Sequence, residues 1–219
     1  MCIRDSLTKV GITDVVLCER KQLTCGTTWH AAGLVGQLRG SLNMTRLAKY
    51  TAELYTGLEQ ETGQATGFKQ NGAVNIATTV GRLEEMKRMA SMAQVFDLEV
   101  NVIGPDEIQE LNPLIFTGDV LGAVHIPSDG QANPVDVTQA LAKGARMGGA
   151  CVFENTKVTD ILTQNGRITG VKTERGEIAA DYVVLCCGMW TRELAATVGV
   201  NVPLHACEHF YIVTEPLEG

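Results

Sequence analysis

The apolar run Val15-Val16-Leu17-Cys18 ends on a charged pair, Glu19-Arg20, and gives way to a stretch of small residues that carries Gly26, Gly33, Gly36 and Gly40. A short, continuous apolar run bounded by charge is the pattern of a strand covered on both faces. Such a strand needs paired neighbours and covering helices, which points to an α/β fold. A carboxylate at the C-terminal tip of that strand presents two acceptor oxygens, the arrangement that receives a ribose diol in dinucleotide-binding folds. Glu19 and Arg20 therefore read as a nucleotide-sugar clamp.

In such a unit the ribose acid follows a glycine-rich, pyrophosphate-binding turn by about 20 residues. Counting back from Glu19 runs off the front of the chain, so the first strand and its glycine-rich loop are expected to be missing. Leu7-Thr8-Lys9-Val10 reads as the tail of the intervening helix and Gly11 as its stop. Residues 1–6 do not continue that helix and are expected to be an artefactual leader. The chain also stops directly after a strand-like run, so a fragment cut at both ends is expected.

A net charge of −7 argues against a nucleic-acid partner. The seven cysteines show neither metal-ligand spacing nor a disulfide framework, and no metal site is expected. No apolar run reaches the roughly 20 residues of a membrane span. A reducing compartment follows, cytoplasmic or, in a eukaryote, the mitochondrial matrix.

Further along, Asn43 is a candidate cap for a helix with Leu47, Tyr50, Leu54 and Leu58 on one face, ending at Gly63. Residues 72–77 read as a strand, 82–96 as an amphipathic helix with its charges on a solvated face, 100–103 as a strand and 120–126 as another. Asn133-Pro134 opens a helix that ends at Gly148-Gly149. Strands are expected at 150–153, 158–163, 168–173 and 178–182, with turns at Asn165-Gly166 and Arg175-Gly176. The fully apolar residues 183–187 should form a buried parallel strand ending on Gly188 before a helix over 190–198. The expected organisation is a discontinuous nucleotide-binding domain, 7–67 with 131–202, carrying an α+β insertion, 68–130, to which 203–219 returns.

Several of these segments together resemble one family. Thr27-Thr28-Trp29-His30-Ala31-Ala32-Gly33-Leu34, Pro127-Ser128-Asp129-Gly130 with Asn133-Pro134, Cys187-Gly188-Met189-Trp190 and Glu208-His209-Phe210-Tyr211 are similar to segments of the dimethylglycine and sarcosine dehydrogenases. These are flavoenzymes of the D-amino-acid-oxidase superfamily, and the similarity runs over residues 7–215. The fold it implies is a Rossmann-like FAD-binding domain with an inserted substrate domain. It implies FAD attached covalently through the 8α-methyl group at His30. A neutral imidazole is a competent nucleophile near pH 7, whereas the bland reading is a buried histidine satisfied by hydrogen bonds.

The resemblance also implies flavin contacts at Gly26, Thr27, Thr28 and Gly33, with ligand-free turn glycines as the alternative. Val158 matches a residue whose backbone meets adenine, or it is simply buried in its strand. Gly188 and Trp190 match a Gly-x-Trp element beside the cofactor, or they only pack. His209 matches a histidine near the substrate amine and is the candidate catalytic residue. A base there would help keep the amine neutral for hydride transfer from the N-methyl carbon to flavin N5. The implied reaction is oxidative N-demethylation of a small N-methylated amino acid, with an electron-acceptor protein as a possible partner and tetrahydrofolate used only by a C-terminal part outside this chain. Arg39, Arg46 or Lys69 would supply a cation for the substrate carboxylate, and the sequence does not choose among them. A related amine oxidase and a flavoprotein fold without turnover stay open.

Overall fold

The computed structural model describes the backbone of residues 2–210 and 212–216, and the side chains of residues 6–210 and 212–216. The chain divides into two compact units, Met1–Leu17 with Leu23–Val152 and Cys18–Gln22 with Phe153–Gly219.

The first unit opens with α1 (Cys2–Lys9), so the helix begins well before Leu7 and residues 2–6 continue it, contrary to the sequence expectation. It stops at Gly11, whose φ of 88° is a left-handed conformation that only glycine adopts without cost. β1 (Val16–Cys18) follows and pairs with β7 (Cys151–Phe153). Cys151 N–H donates to Val15 O and Glu19 N–H to Phe153 O, at 2.9 and 2.8 Å. The partners advance together along both strands, as in a parallel pair.

β2 (Leu34–Val35) lies antiparallel to β6 (Gly130–Gln131). Between them in sequence runs α2 (Leu42–Thr62). Its N-cap is Ser41, whose extended backbone aims Oγ at the Met44 N–H, and not Asn43. Gly63, at φ 63°, closes the helix by donating to Glu59 O. The expected face is right only in the second half of α2. Leu54 and Leu58 are buried, whereas Leu47 and Tyr50 are 58% and 43% exposed and Thr45 and Ala52 take their place inside. Thr45 tolerates burial because its hydroxyl donates to Arg39 O and accepts from Arg39 N–H.

β3 (Ala73–Ala77), α3 (Val80–Ala93), β4 (Asn101–Ile103), α4 (Pro105–Leu111) and β5 (Gly122–Ile126) form the α+β segment. Its antiparallel sheet has the order β3-β5-β4. Thr79 caps α3 two residues earlier than expected, and a 3₁₀ turn, Gln94–Phe96, replaces its last turn. Met86, Ala90 and Ala93 pack on Ala77, Val124 and Ile126. α5 (Pro134–Met147) has Asn133 as N-cap, accepting from Val135 N–H and Asp136 N–H, with Pro134 at its first position as expected. Val137, Ala140 and Leu141 of α5 meet Leu54 and Leu58 of α2 in a second core cluster.

The second unit is built on the antiparallel meander β8 (Val158–Gln164), β9 (Arg167–Thr173) and β10 (Gly176–Ala179), followed by α6 (Thr191–Ala196). Residues 183–187 are not a strand. Among the described residues no strand pairs with this segment, and Val184 is 61% exposed, so apolar content alone does not make a ladder. Residues 204–210 are irregular for the same reason, with Phe210 92% exposed. Tyr211 lies outside the described residues.

Candidate functional site

The predicted site residues fall into two groups, one in each unit. In the first, Leu23 anchors the segment by packing against Leu17, Ala142 and Val152. Thr24 then takes φ 77°, a left-handed conformation that is strained for a β-branched residue. Gly26 is half-buried and Thr27 exposed. Thr28–His30 form one 3₁₀ turn, closed by His30 N–H to Thr27 O and Ala31 N–H to Thr28 O. The His30 ring lies 3.7 Å from the Trp29 ring, tilted by 34°, and both residues are exposed. A buried histidine, the bland reading of this position, is therefore not what the fold presents.

Gly33 answers to packing. At φ 78° its Cβ would stand 2.1 Å from the Ala132 carbonyl oxygen, and its own carbonyl accepts from Ala132 N–H at 2.8 Å. Only a residue without a side chain lets β2 close onto β6 there.

The next turn holds a group that sequence reasoning missed. Asp129 is 3% exposed, and its Oδ1 accepts from Gln37 N–H at 2.9 Å and from Gln37 Nε2 at 3.2 Å. Gln37 Nε2 also donates to Ser128 O and Oγ, so the glutamine fastens residues 36–39 to the start of β6. Burial raises the Asp129 pKa above the ordinary 3.8, opposed by the two Gln37 hydrogen bonds and the Arg39 charge. The backbone of Arg39 is pinned by Thr45. Its side chain lines an open cleft of about 140 Å³ with Leu34, Val35, Ala48, Thr51 and Tyr55. Arg46 lines a different, larger cleft together with Lys49 and Glu53. Asp129 stands in the Pro127-Ser-Asp-Gly motif, which was the available signal, while nothing in the sequence marks Gln37.

In the second unit Glu19 sits at the tip of β1. Its carbonyl accepts from Thr156 N–H, and its carboxylate Oε1 accepts from Lys21 N–H at 3.0 Å. The backbone hydrogen bond orients a half-buried carboxylate before any ligand arrives. The Arg20 guanidinium lies 4.0 Å over the Trp190 ring, a cation–π stack that covers that face of the indole. Gly188 has φ 55° and nothing within 4 Å of where a side chain would begin, which leaves its backbone open to close approach. The Cys187 thiol is pushed up by burial, with further contributions from Cys186 and Glu19. Val158 is half-buried in β8, opposite Thr173.

The fold thus brings Glu19, Arg20, Gly188 and Trp190 together in one unit. It strings Gly26, Thr27, Thr28, His30 and Gly33 along one turn of the other. It leaves His209 exposed in an irregular segment, without a hydrogen bond or ion pair among the described residues. An oriented carboxylate and an open glycine suit the adenosine ribose of a dinucleotide, so the donor set fits FAD. No helix among the described residues is long and apolar enough to cross a membrane.

The chain is 38% identical over 212 residues to a mouse (Mus musculus) protein named pyruvate dehydrogenase phosphatase regulatory subunit, mitochondrial, a match covering 96% of this chain and 24% of the relative. It is 41% identical over 219 residues to human (Homo sapiens) mitochondrial sarcosine dehydrogenase, with 97% and 24% covered. The chain spans about a quarter of the length of these relatives. Among solved structures it is similar to L-proline dehydrogenase from P. horikoshii, with a TM-score of 0.84 and 29% identity over 91% of this chain and 52% of that one. The α/β architecture of an FAD-dependent oxidoreductase, expected from the sequence, is therefore the observed one. Residues 6–219 match the family described as FAD dependent oxidoreductase, DAO, and the chain belongs to it.

Proposed function

We propose that the chain serves FAD-dependent oxidative N-demethylation of a small N-methylated glycine, dimethylglycine or sarcosine. The observation that carries this reading is an exposed histidine, His30, on a short turn within a chain 41% identical to a sarcosine dehydrogenase. FAD, when bound, accepts the electron pair removed from the N-methyl carbon. Glu19 would accept hydrogen bonds from the ribose diol, and Arg20, held by Trp190, would place positive charge beside it. Gly188 and Val158 offer backbone, and Gly26, Thr27 and Thr28 offer amides and hydroxyls. His30 would hold the flavin covalently at its 8α-methyl group.

Of the three candidate cations, Arg39 lines a small open cleft whose walls, Leu34, Val35, Ala48, Thr51 and Tyr55, mix apolar and polar surface and carry no other charge, so it is assigned to the substrate carboxylate. His209 takes the part of the base that keeps the amine neutral. An electron-acceptor protein and a tetrahydrofolate-using part beyond this chain complete the proposal, in the cytoplasm or the mitochondrial matrix.

The test is denaturing electrophoresis of the flavin-loaded holoenzyme. Flavin fluorescence should migrate with the protein and vanish in His30→Ala while persisting in His209→Ala. Sarcosine or dimethylglycine should bleach the flavin absorbance under anaerobic conditions. The mouse relative named as a regulatory subunit favours a second reading, a flavoprotein fold that binds a partner without turnover. Bound flavin that neither amine bleaches would decide for that reading.

A further inference from the structure

Cys186 and Cys187 are adjacent, both free, one exposed and the other half-buried. They sit in residues 183–187, where no strand ladder among the described residues holds the backbone, and Cys187 is the N-cap of the 3₁₀ turn Gly188–Trp190, its carbonyl accepting from Trp190 N–H at 3.1 Å. That turn supplies the indole on which Arg20 rests, and Glu19 lies near enough for its charge to bear on the Cys187 thiol. A dithiol therefore stands directly upstream of the Arg20–Trp190 stack.

We propose that Cys186-Cys187 is a reversible redox modification site, oxidised by a hydroperoxide to a disulfide between neighbouring residues, and that ring closure releases Arg20 from Trp190. The exposed Cys186 reacts first. Its thiolate attacks the terminal peroxide oxygen, the O–O bond breaks, and a sulfenic acid and water (or an alcohol) result. Cys187 then attacks the sulfenic sulfur, displacing hydroxide that leaves as a second water, so two thiols lose two electrons and two protons and the peroxide is reduced by the same two electrons. The half-buried Cys187 is the less accessible of the two to a peroxide, so it attacks second, on the sulfur already oxidised next to it.

Consecutive α-carbons stand only about 3.8 Å apart, below the usual disulfide range of about 4.4–6.8 Å, so the bond is strained and easily reduced. A strained, exposed disulfide is of the labile, regulatory kind and not a structural staple. Closing the ring requires rotation at Cys187, which caps the turn, so the Gly188–Trp190 geometry shifts with it. This inference is independent of the substrate proposed above.

The experiment uses the full chain with Trp29→Phe, which leaves Trp190 as its single tryptophan, treated with hydrogen peroxide in slight excess. Expected are a peptide carrying Cys186 and Cys187 lighter by two hydrogens, recovery of the original mass and emission with dithiothreitol, and a red shift of Trp190 emission in the oxidised form. Phenylarsine oxide should bind the reduced protein tightly at this peptide, and Cys186→Ser or Cys187→Ser should abolish all of these effects. Irreversible oxidation of Cys186 to sulfinic acid without loss of two hydrogens overturns the proposal. So does a disulfide that pairs either residue with another cysteine. A vicinal disulfide that leaves Trp190 emission unchanged overturns the coupling to the stack.

Discussion

Replacing Gly33 by alanine separates two costs that the fold imposes at one residue. The φ of 78° puts an added Cβ in the left-handed region, at about 1–2 kcal/mol for a non-glycine residue. The Cβ would also stand 2.1 Å from the Ala132 carbonyl oxygen, where ordinary contact begins at 3.4 Å. That neighbour is backbone and cannot swing aside. β2 must move off β6, and the 2.8 Å hydrogen bond from Ala132 N–H to Gly33 O lengthens or breaks. Overpacking of this kind costs about 1–3 kcal/mol and a lost hydrogen bond about 1 kcal/mol more. The total is about 3–6 kcal/mol, which for a chain of this size lowers the melting temperature by roughly 6–24 °C. Gly11→Ala is the control within the same unit, because Gly11 has φ 88° and nothing within 4 Å. It should cost only the backbone part, about 1–2 kcal/mol. Thermal unfolding followed by circular dichroism on both variants checks the difference. Equal shifts for Gly33→Ala and Gly11→Ala would refute the claim that the Ala132 carbonyl forbids a side chain at this turn.

Leu58 is fully buried between α2 and α5, so Leu58→Ala should destabilise the first unit by about 2–5 kcal/mol, measured as a lower urea midpoint at unchanged m-value. Burial raises the folded pKa of Asp129 above 3.8, so the native state binds its proton more tightly than the unfolded chain does. The contribution of this group to stability therefore falls as pH rises through the folded pKa and is regained as pH drops towards 3.8. Asp129→Asn should flatten that slope in melting temperatures taken across mildly acidic pH, and an unchanged slope would assign it to other groups. The Arg20–Trp190 stack should show about 0.5–1 kcal/mol of coupling in a double-mutant cycle of Arg20→Ala and Trp190→Leu, and strict additivity would mean that the two side chains act separately.

What could be read in the sequence depended on whether a local signal had a local cause. The Asn133-Pro134 start of α5 was legible because cap and first turn are set by three adjacent residues. The Asn165-Gly166 turn was legible because its backbone needs φ of 51° and 75°. Failures occurred where neighbours decide. Residues 183–187 have the composition of a core strand but no ladder partner among the described residues, and residues 204–210 share that condition. The face of α2 was misjudged because Thr45 is drawn inward by the Arg39 backbone, a partner six residues away that no hydrophobic periodicity records. Gln37 escaped notice for the same reason, since its role comes from hydrogen bonds spanning 91 and 92 positions to Ser128 and Asp129. The Arg20–Trp190 stack joins residues that were each singled out, yet only the fold shows that they meet.

The site segment and the core of the first unit are nearly separate in their residues, and this decides how variants there can be interpreted. Two of the cores are α2 against α5 and α3 against the β3-β5-β4 sheet, and the site segment joins a third only through Leu23, whereas Thr27 and His30 are exposed. Surface substitutions of that kind usually change stability by no more than about 0.5 kcal/mol. A loss of protein-bound flavin in His30→Ala at unchanged melting temperature therefore reports on the bond and not on the fold. Gly33 is the exception along the segment, because its backbone is shared between the turn that presents His30 and the β2–β6 closure. A Gly33 variant should lose flavin and stability together, and the contrast between positions 30 and 33 distinguishes a residue that reacts from one that makes room.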